Sequence, residues 1–252
     1  MRRDTNTKTT AATTPNRKTA FQTERLTENT FLITEVDDIY DERPQIFVKR
    51  LANNCKLLVI DTGCGGATND PDVQITGLRE YLETVPLECN ANEPLNASEL
   101  GYIVVATHCH YDHIRTRASF VALAAANIPN VVGIEQFADA NARILVSAHS
   151  PYFISPANLP KHSLCADMGI HTPKYTPILV PHRHEIAPDV FILHTPGHTP
   201  DELAVYDATE KMLYVGDTLY EEDTIIFPNE GSIVDWTRCS NQLGAQDTLA
   251  AG

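Results

Sequence analysis

No stretch of this 252-residue sequence is apolar for long enough to cross a bilayer. A membrane-spanning helix needs about 20 such residues in a row, and the best candidate, 120–134, is interrupted by Asn127, Pro129 and Asn130. Positive charge is also scarce, with 19 Lys and Arg against 33 Asp and Glu for a formal net charge of −14. Such a surface repels phosphate backbones, which argues against a nucleic-acid partner and leaves a small-molecule substrate as the expectation. The six cysteines, Cys55, Cys64, Cys89, Cys109, Cys165 and Cys239, include no CxxC pair and follow no secretory signal pattern. Reduced thiols in a cytoplasmic protein are therefore expected in place of a disulfide framework. The rest is ordinary for a globular chain: 42% hydrophobic and 21% charged residues, and enough length for one large α/β domain or two small ones.

Residues 1–20 are rich in Thr, Asn, Arg and Lys and nearly free of large apolar side chains, a composition that reads as a disordered leader. Its basic residues, Arg2, Arg3, Lys8, Arg17 and Lys18 against Asp4, also suit a mitochondrial targeting segment, although the apolar face of such peptides is missing. The domain is expected over 21–252, with regular structure starting near Phe31. Runs 31–36, 45–49 and 56–60 read as strands, the last ending in Asp61-Thr62-Gly63. Helical spacing occurs at 73–85, where Val73, Leu78, Tyr81, Leu82 and Val85 fall near one face. A strand at 102–106, a helix at 118–126 and a strand at 130–134 follow. Prolines at 151, 156, 160, 173, 177 and 181 then break 147–184 into a long, partly ordered excursion, of the kind that often faces a substrate. Strands return at 175–180, 190–194, 202–206 and 211–215, so the pattern suits a layered α/β sandwich.

The chemistry is concentrated in Thr107-His108-Cys109-His110-Tyr111-Asp112-His113, directly after an apolar strand. Three imidazoles and a carboxylate packed this closely call for a cation to neutralise and order them, so the segment reads as half of a two-metal site. In an extended loop alternate side chains share a face, which lets His108, His110 and Asp112 project together and turns Cys109 away. His113 then lies at a turn, where its imidazole can swing toward a second cation. A second constellation, His194-Thr195-Pro196-Gly197-His198-Thr199-Pro200, offers His198 as a ligand, with His194 a strand-end residue or one that orients the site. A third, Tyr214-Val215-Gly216-Asp217, places Asp217 after a strand as a carboxylate able to bridge two cations. Asp61 is either a turn residue or an acceptor for a ligand imidazole. His182 and His184 read as exposed edge-strand residues, and His149, His162 and His171 as loop residues.

These motifs, in this order, resemble the metallo-β-lactamase superfamily over about residues 31–236, with HxHxDH the most specific part. The resemblance implies an αββα sandwich with the metals at the edge between two sheets. It implies that His108, His110 and His198 hold one Zn2+, that Asp112 and His113 hold another, and that Asp217 lies between them. Asp112 would also orient the attacking water. Gly231-Ser232-Ile233-Val234-Asp235-Trp236 is similar to the matching part of metallo-β-lactamase-domain acyl-CoA thioesterases. The implied activity is zinc-dependent hydrolysis of an ester or thioester, acyl-CoA included, by metal-activated hydroxide. A mononuclear iron dioxygenase of the persulfide type and a metal-poor, non-catalytic relative are the alternatives.

Two departures from the family pattern stand out. Small glycines commonly follow the DH pair, whereas here Ile114-Arg115-Thr116-Arg117 follows, with both arginines expected on the helix exterior in preference to one reaching an anionic group of the substrate. The family also supplies one more histidine to the second metal from well beyond the bridging aspartate, and no histidine follows His198 here. Cys239 is the nearest alternative donor, without support from its spacing. Regular structure is expected to end near Trp236, with the closing strand and helix missing. A C-terminally truncated domain, a weakened second metal site and self-association through an exposed sheet edge are the corresponding expectations.

Overall fold

Strand residues alternate between two separate apolar cores, and this alternation builds the molecule. The computed structural model describes residues 17–51, 56–97, 100–115, 133–220 and 224–244. Seven strands form the larger sheet in sequence order: β1 (Phe21–Arg25), β2 (Thr30–Glu35), β3 (Gln45–Leu51), β4 (Lys56–Ile60), β5 (Gly101–Val105), β6 (Arg143–Ser147) and β7 (Pro177–Val180). The first four pair antiparallel, and β4 to β7 pair parallel. In β4, Leu57 and Val59 enter an outer core while Leu58 and Ile60 enter an inner one, and in β5 Val104 and Ile103 divide in the same way. Both faces are buried, which is why these strands read as continuous apolar runs.

The inner core is closed by a second, antiparallel sheet in the order β11 (Met212–Tyr214), β10 (Leu203–Asp207), β9 (Val190–His194), β8 (Glu185–Ala187). It contributes Ile186, Val190, Ile192, Leu203, Val205 and Tyr214. Helices α1 (Leu78–Thr84) and α3 (Ile134–Asp139) cover the other face of the large sheet, burying Leu78, Tyr81, Leu82, Ile134 and Phe137. Between them, α2 (Tyr111–Ile114) is a single turn carrying Asp112 and His113. A short helix, α4 (Leu159–His162), and a last one, α5 (Ile233–Gly244), complete the described α-helices, and a 3-10 turn at Gly216–Thr218 carries Asp217. This is the layered mixed α/β sandwich expected.

Several boundaries differ from the sequence reading. Regular structure starts before Phe31, at β1, and Ala20 is already buried, its N–H donating to Ile75. The helix expected at 73–85 is confined to 78–84, because Gln74 and Ile75 stay extended to donate to the Lys18 carbonyl. β6 and β8 were not expected from the sequence, although β6 carries the buried apolar run Ile144-Leu145-Val146; β8 has three residues. The 147–184 excursion is packed: Phe153, Ile154 and Leu159 join the outer core, and His162 stacks on Phe153 at 4.0 Å between centroids. Regular structure continues past Trp236 as α5. Arg115 is not on the exterior. It is fully buried, its Nη1 donating to the Cys64 carbonyl at 3.1 Å and its guanidinium lying 4.1 Å from the Tyr40 ring centroid. Arg117, the helix expected at 118–126 and most of the strand expected at 130–134 lie outside the described residues; Ile134 itself opens α3. Among the described cysteines, Cys64, Cys89, Cys109, Cys165 and Cys239 are free thiols. No helix among the described residues is long and apolar enough to cross a membrane.

Candidate metal centre

Four loops leave neighbouring strands at one edge of the sandwich, outside the carboxyl ends of β4, β5, β9 and β11. Ligand sites in open α/β sheets form at such ends, where strands stop and loops diverge. Backbone bonds hold the loops together. The Leu203 N–H donates to Thr107 O at 2.8 Å, joining the sheets, and the Thr62 N–H donates to His113 O at 2.8 Å.

The structure brings His108, His110, His113 and His198 together as buried rings. The His108 ring lies 4.5 Å from that of His110, 4.1 Å from that of His113 and 4.9 Å from that of His198, between centroids. His198 Nε2 stands 3.1 Å from His110 Nδ1. Asp217 enters from the β11 side, with Oδ1 3.1 Å from His113 Nε2 and Oδ2 3.4 Å from His198 Nε2 and 3.9 Å from His108 Nε2. Asp112 Oδ2 is 3.3 Å from His113 Nε2. Ring nitrogens of His108, His110 and His198 form one group with metal-binding spacing, and His108, His113 and Asp217 form an adjoining one. Asp112 belongs to neither group and sits beside the second.

Partners behind the rings decide which nitrogen faces inward. His198 Nδ1 donates to the Ile226 carbonyl at 2.7 Å, leaving the Nε2 lone pair toward His110. His113 Nδ1 donates to Asp61 Oδ2 at 2.8 Å, while Asp61 also accepts from the Thr107 N–H and hydroxyl, each at 2.8 Å. Of the two readings of Asp61, the acceptor role is the one seen. Glu202 is fully buried, with Oε2 3.8 Å from His108 Nδ1 and Oε1 accepting the Asp217 N–H at 3.0 Å. Sequence reasoning passed over Glu202, Thr107 and the Ile226 carbonyl, since none lies in a ligand-spaced motif. Tyr220 is hydrogen-bonded to Asp217, also without a signal in the sequence. His194 ends β9 and ties the sheets instead of reaching the site, with Nε2 donating to Val180 O at 2.9 Å and its N–H to His182 Nδ1 at 3.0 Å.

The electrostatics favour a cation. Burial, reinforced by neighbouring imidazoles, holds His108 well below its ordinary pKa, and burial brings His110 down to about 4, so both rings are neutral with lone pairs available. Burial lowers His113 as well, but Asp61, Asp112 and Asp217 outweigh it and leave the ring well above its ordinary value. His108 Nε2 is buried with no hydrogen-bond partner. An orphaned ring nitrogen aimed at three other ligands is costly unless an ion completes it. The donor set of imidazole and carboxylate suits a divalent transition metal. The residues present therefore fit one.

Pro228-Asn229-Glu230-Gly231-Ser232 and the start of α5 close this edge. Ser232 N–H donates to Gly197 O at 2.7 Å, and Trp236 Nε1 donates to Thr218 O at 2.7 Å. A Cβ on Gly197 would stand 2.6 Å from that of Trp236, so only glycine lets the His198 loop approach the helix so closely.

A two-sheet sandwich with clustered histidines and carboxylates at its open edge defines a class of metal-binding α/β proteins. The profile of the Metallo-beta-lactamase superfamily matches residues 47–250, and the chain belongs to that superfamily. A protein of Aspergillus versicolor named "Putative transcription factor avaE" is 32% identical over 218 residues, covering 85% of this chain. The chain spans only 61% of that relative's length. Among solved structures, a metallo-beta-lactamase from Pontibacter korlensis superposes with a TM-score of 0.55 at 16% identity, covering 90% of this chain and 86% of that one. A metallo-beta-lactamase family protein of Thermus thermophilus gives 0.56 at 19% identity, over 87% and 70%. Identities this low speak to the fold alone.

Proposed function

We propose that this chain is a zinc-dependent hydrolase of an ester or thioester, with His108, His110 and His198 holding one cation and His113, Asp112 and Asp217 adjoining it. The observation that carries this reading is the orphaned His108 Nε2, grouped at metal-binding spacing with the rings of His110 and His198. A divalent cation bound there supplies Lewis acidity, making water acidic near neutral pH and polarising a carbonyl. The chain's own residues do the rest. Asp61 and the Ile226 carbonyl lock the rings of His113 and His198, so the site is organised before substrate arrives. Asp112, beside His113 Nε2, is placed to accept a proton from the attacking water. Departure of a thiolate needs little protonation, so no separate general acid is required for a thioester.

The surroundings support an apolar acyl group. Leu219, Ile226, Ile233 and Val234 are exposed on the segments that follow Asp217 and flank the His198 loop. Glu230, 3.5 Å from Lys161 and 3.9 Å from His162, draws the proline-rich excursion alongside them. The name of the longer Aspergillus relative suggests a regulatory role, yet a net charge of −14 makes this chain a poor duplex binder.

The test is turnover of the zinc-loaded chain against acyl-CoA thioesters, simple esters and lactones, beside His198→Ala. Hydrolysis lost by at least about a hundredfold in the variant is expected. A folded, zinc-bearing chain inert to all three classes overturns the reading, and oxygen uptake with a persulfide by the iron-loaded chain replaces it with the dioxygenase.

A further inference from the structure

We infer that Glu35, Asp38 and Cys64 form a separate binding site for a divalent transition-metal ion that accepts a thiolate, with zinc the expected occupant. The inference is independent of the histidine centre. Glu35 ends β2, Asp38 opens the following loop, and Cys64 lies in the loop after β4, three residues beyond the Asp61 that holds His113. The three are 5%, 6% and 0% exposed, and one ligand atom from each lies within 4.8 Å of the others. Zinc bonds of about 2.0–2.3 Å in a tetrahedron separate their ligand atoms by roughly 3.3–3.8 Å. The cluster is within a small adjustment of that spacing.

A second observation points to a ligand. Glu35 Oε1 accepts the Gly66 N–H at 3.1 Å, but Oε2 is buried without a partner. Two carboxyls sharing a proton would be hydrogen-bonded to one another, and Glu35 and Asp38 are not. Asp38 instead spends its oxygens on the backbone, Oδ1 accepting from Tyr40 at 3.0 Å and Oδ2 from Glu42 at 2.9 Å and Arg43 at 3.3 Å. Those bonds hold the carboxylate still while leaving lone-pair capacity toward the cluster. The space is kept open by Gly63, where a Cβ would meet the Glu35 carboxylate.

The charges also close. Two carboxylates and a thiolate carry three negative charges, and a divalent ion with the buried guanidinium of Arg115, bonded to the Cys64 carbonyl, carries three positive ones. Without the ion, burial raises Glu35 to about 8 and drives the Cys64 thiol far upward, so both groups are neutral and ion uptake releases protons.

The test uses Co2+ alone as the probe, because the histidine centre offers no sulfur. In the double variant His108→Ala/His198→Ala, one cobalt per chain is expected to bind with a near-ultraviolet thiolate-to-cobalt charge-transfer band. Adding Cys64→Ser is expected to abolish the band although Cys89, Cys109, Cys165 and Cys239 remain. No band in the double variant, or a band that survives Cys64→Ser, overturns the site. Should that variant fail to fold, zinc content is compared between the intact chain and Glu35→Gln, with circular dichroism as the folding control. A loss of one equivalent supports the site, and an unchanged content overturns it.

Discussion

Asp61 occupies a left-handed backbone conformation at φ 63 and serves Thr107 and His113 at once. Asparagine tolerates that conformation, so Asp61→Asn should keep the turn while removing the charge that orients the His113 ring. We expect a 10- to 100-fold loss of zinc affinity with little change in circular dichroism, measured by chelator competition. Asp201, close behind the same loops, gives a pH-dependent case. Burial lifts its carboxyl from 3.8 to about 6, so between those values the native chain holds a proton that the unfolded chain has released. The native state then binds more protons, and stability falls as pH rises through that window and stays lower above it. Asp201→Asn cannot ionise, so its thermal midpoint should gain on wild type near neutral pH but not below about pH 4. Equal shifts at both would show that the carboxyl is not responsible.

At the scale of elements, the legible features were those with a repeating physical cause. β4, β5 and β9 are apolar runs, the first two because both of their faces are buried, and each leads into a loop of the candidate metal centre. The missed pieces lacked such a cause: β8 has three residues, and the extended stretch before α1 is set by bonds to Lys18, far away in the chain.

For the molecule as a whole, the question is what joins the two sheets. Beside the inner core, Lys49 of β3 reaches across to Asp207 of β10 at 2.5 Å and Glu210 at 3.0 Å, and Glu210 also accepts from Thr30 at 2.6 Å. Lys49 and Asp207 are both buried, so Lys49→Met leaves an uncompensated anion and should cost about 3–5 kcal/mol in urea unfolding. A smaller loss would mean that water reaches Asp207. Sequence alone made the candidate ligands legible, because His108, His110, Asp112 and His113 lie within six residues at a spacing that suits metal binding. It also determined the layered class through the order of apolar runs. Only the tertiary structure decided which nitrogen of each ring faces inward, that Glu202 lies behind His108, and that Arg115 turns inward to Cys64 and Tyr40. Those outcomes depend on partners at least 28 positions away, brought close by strand order and sheet packing, and no local pattern of residues encodes such distances.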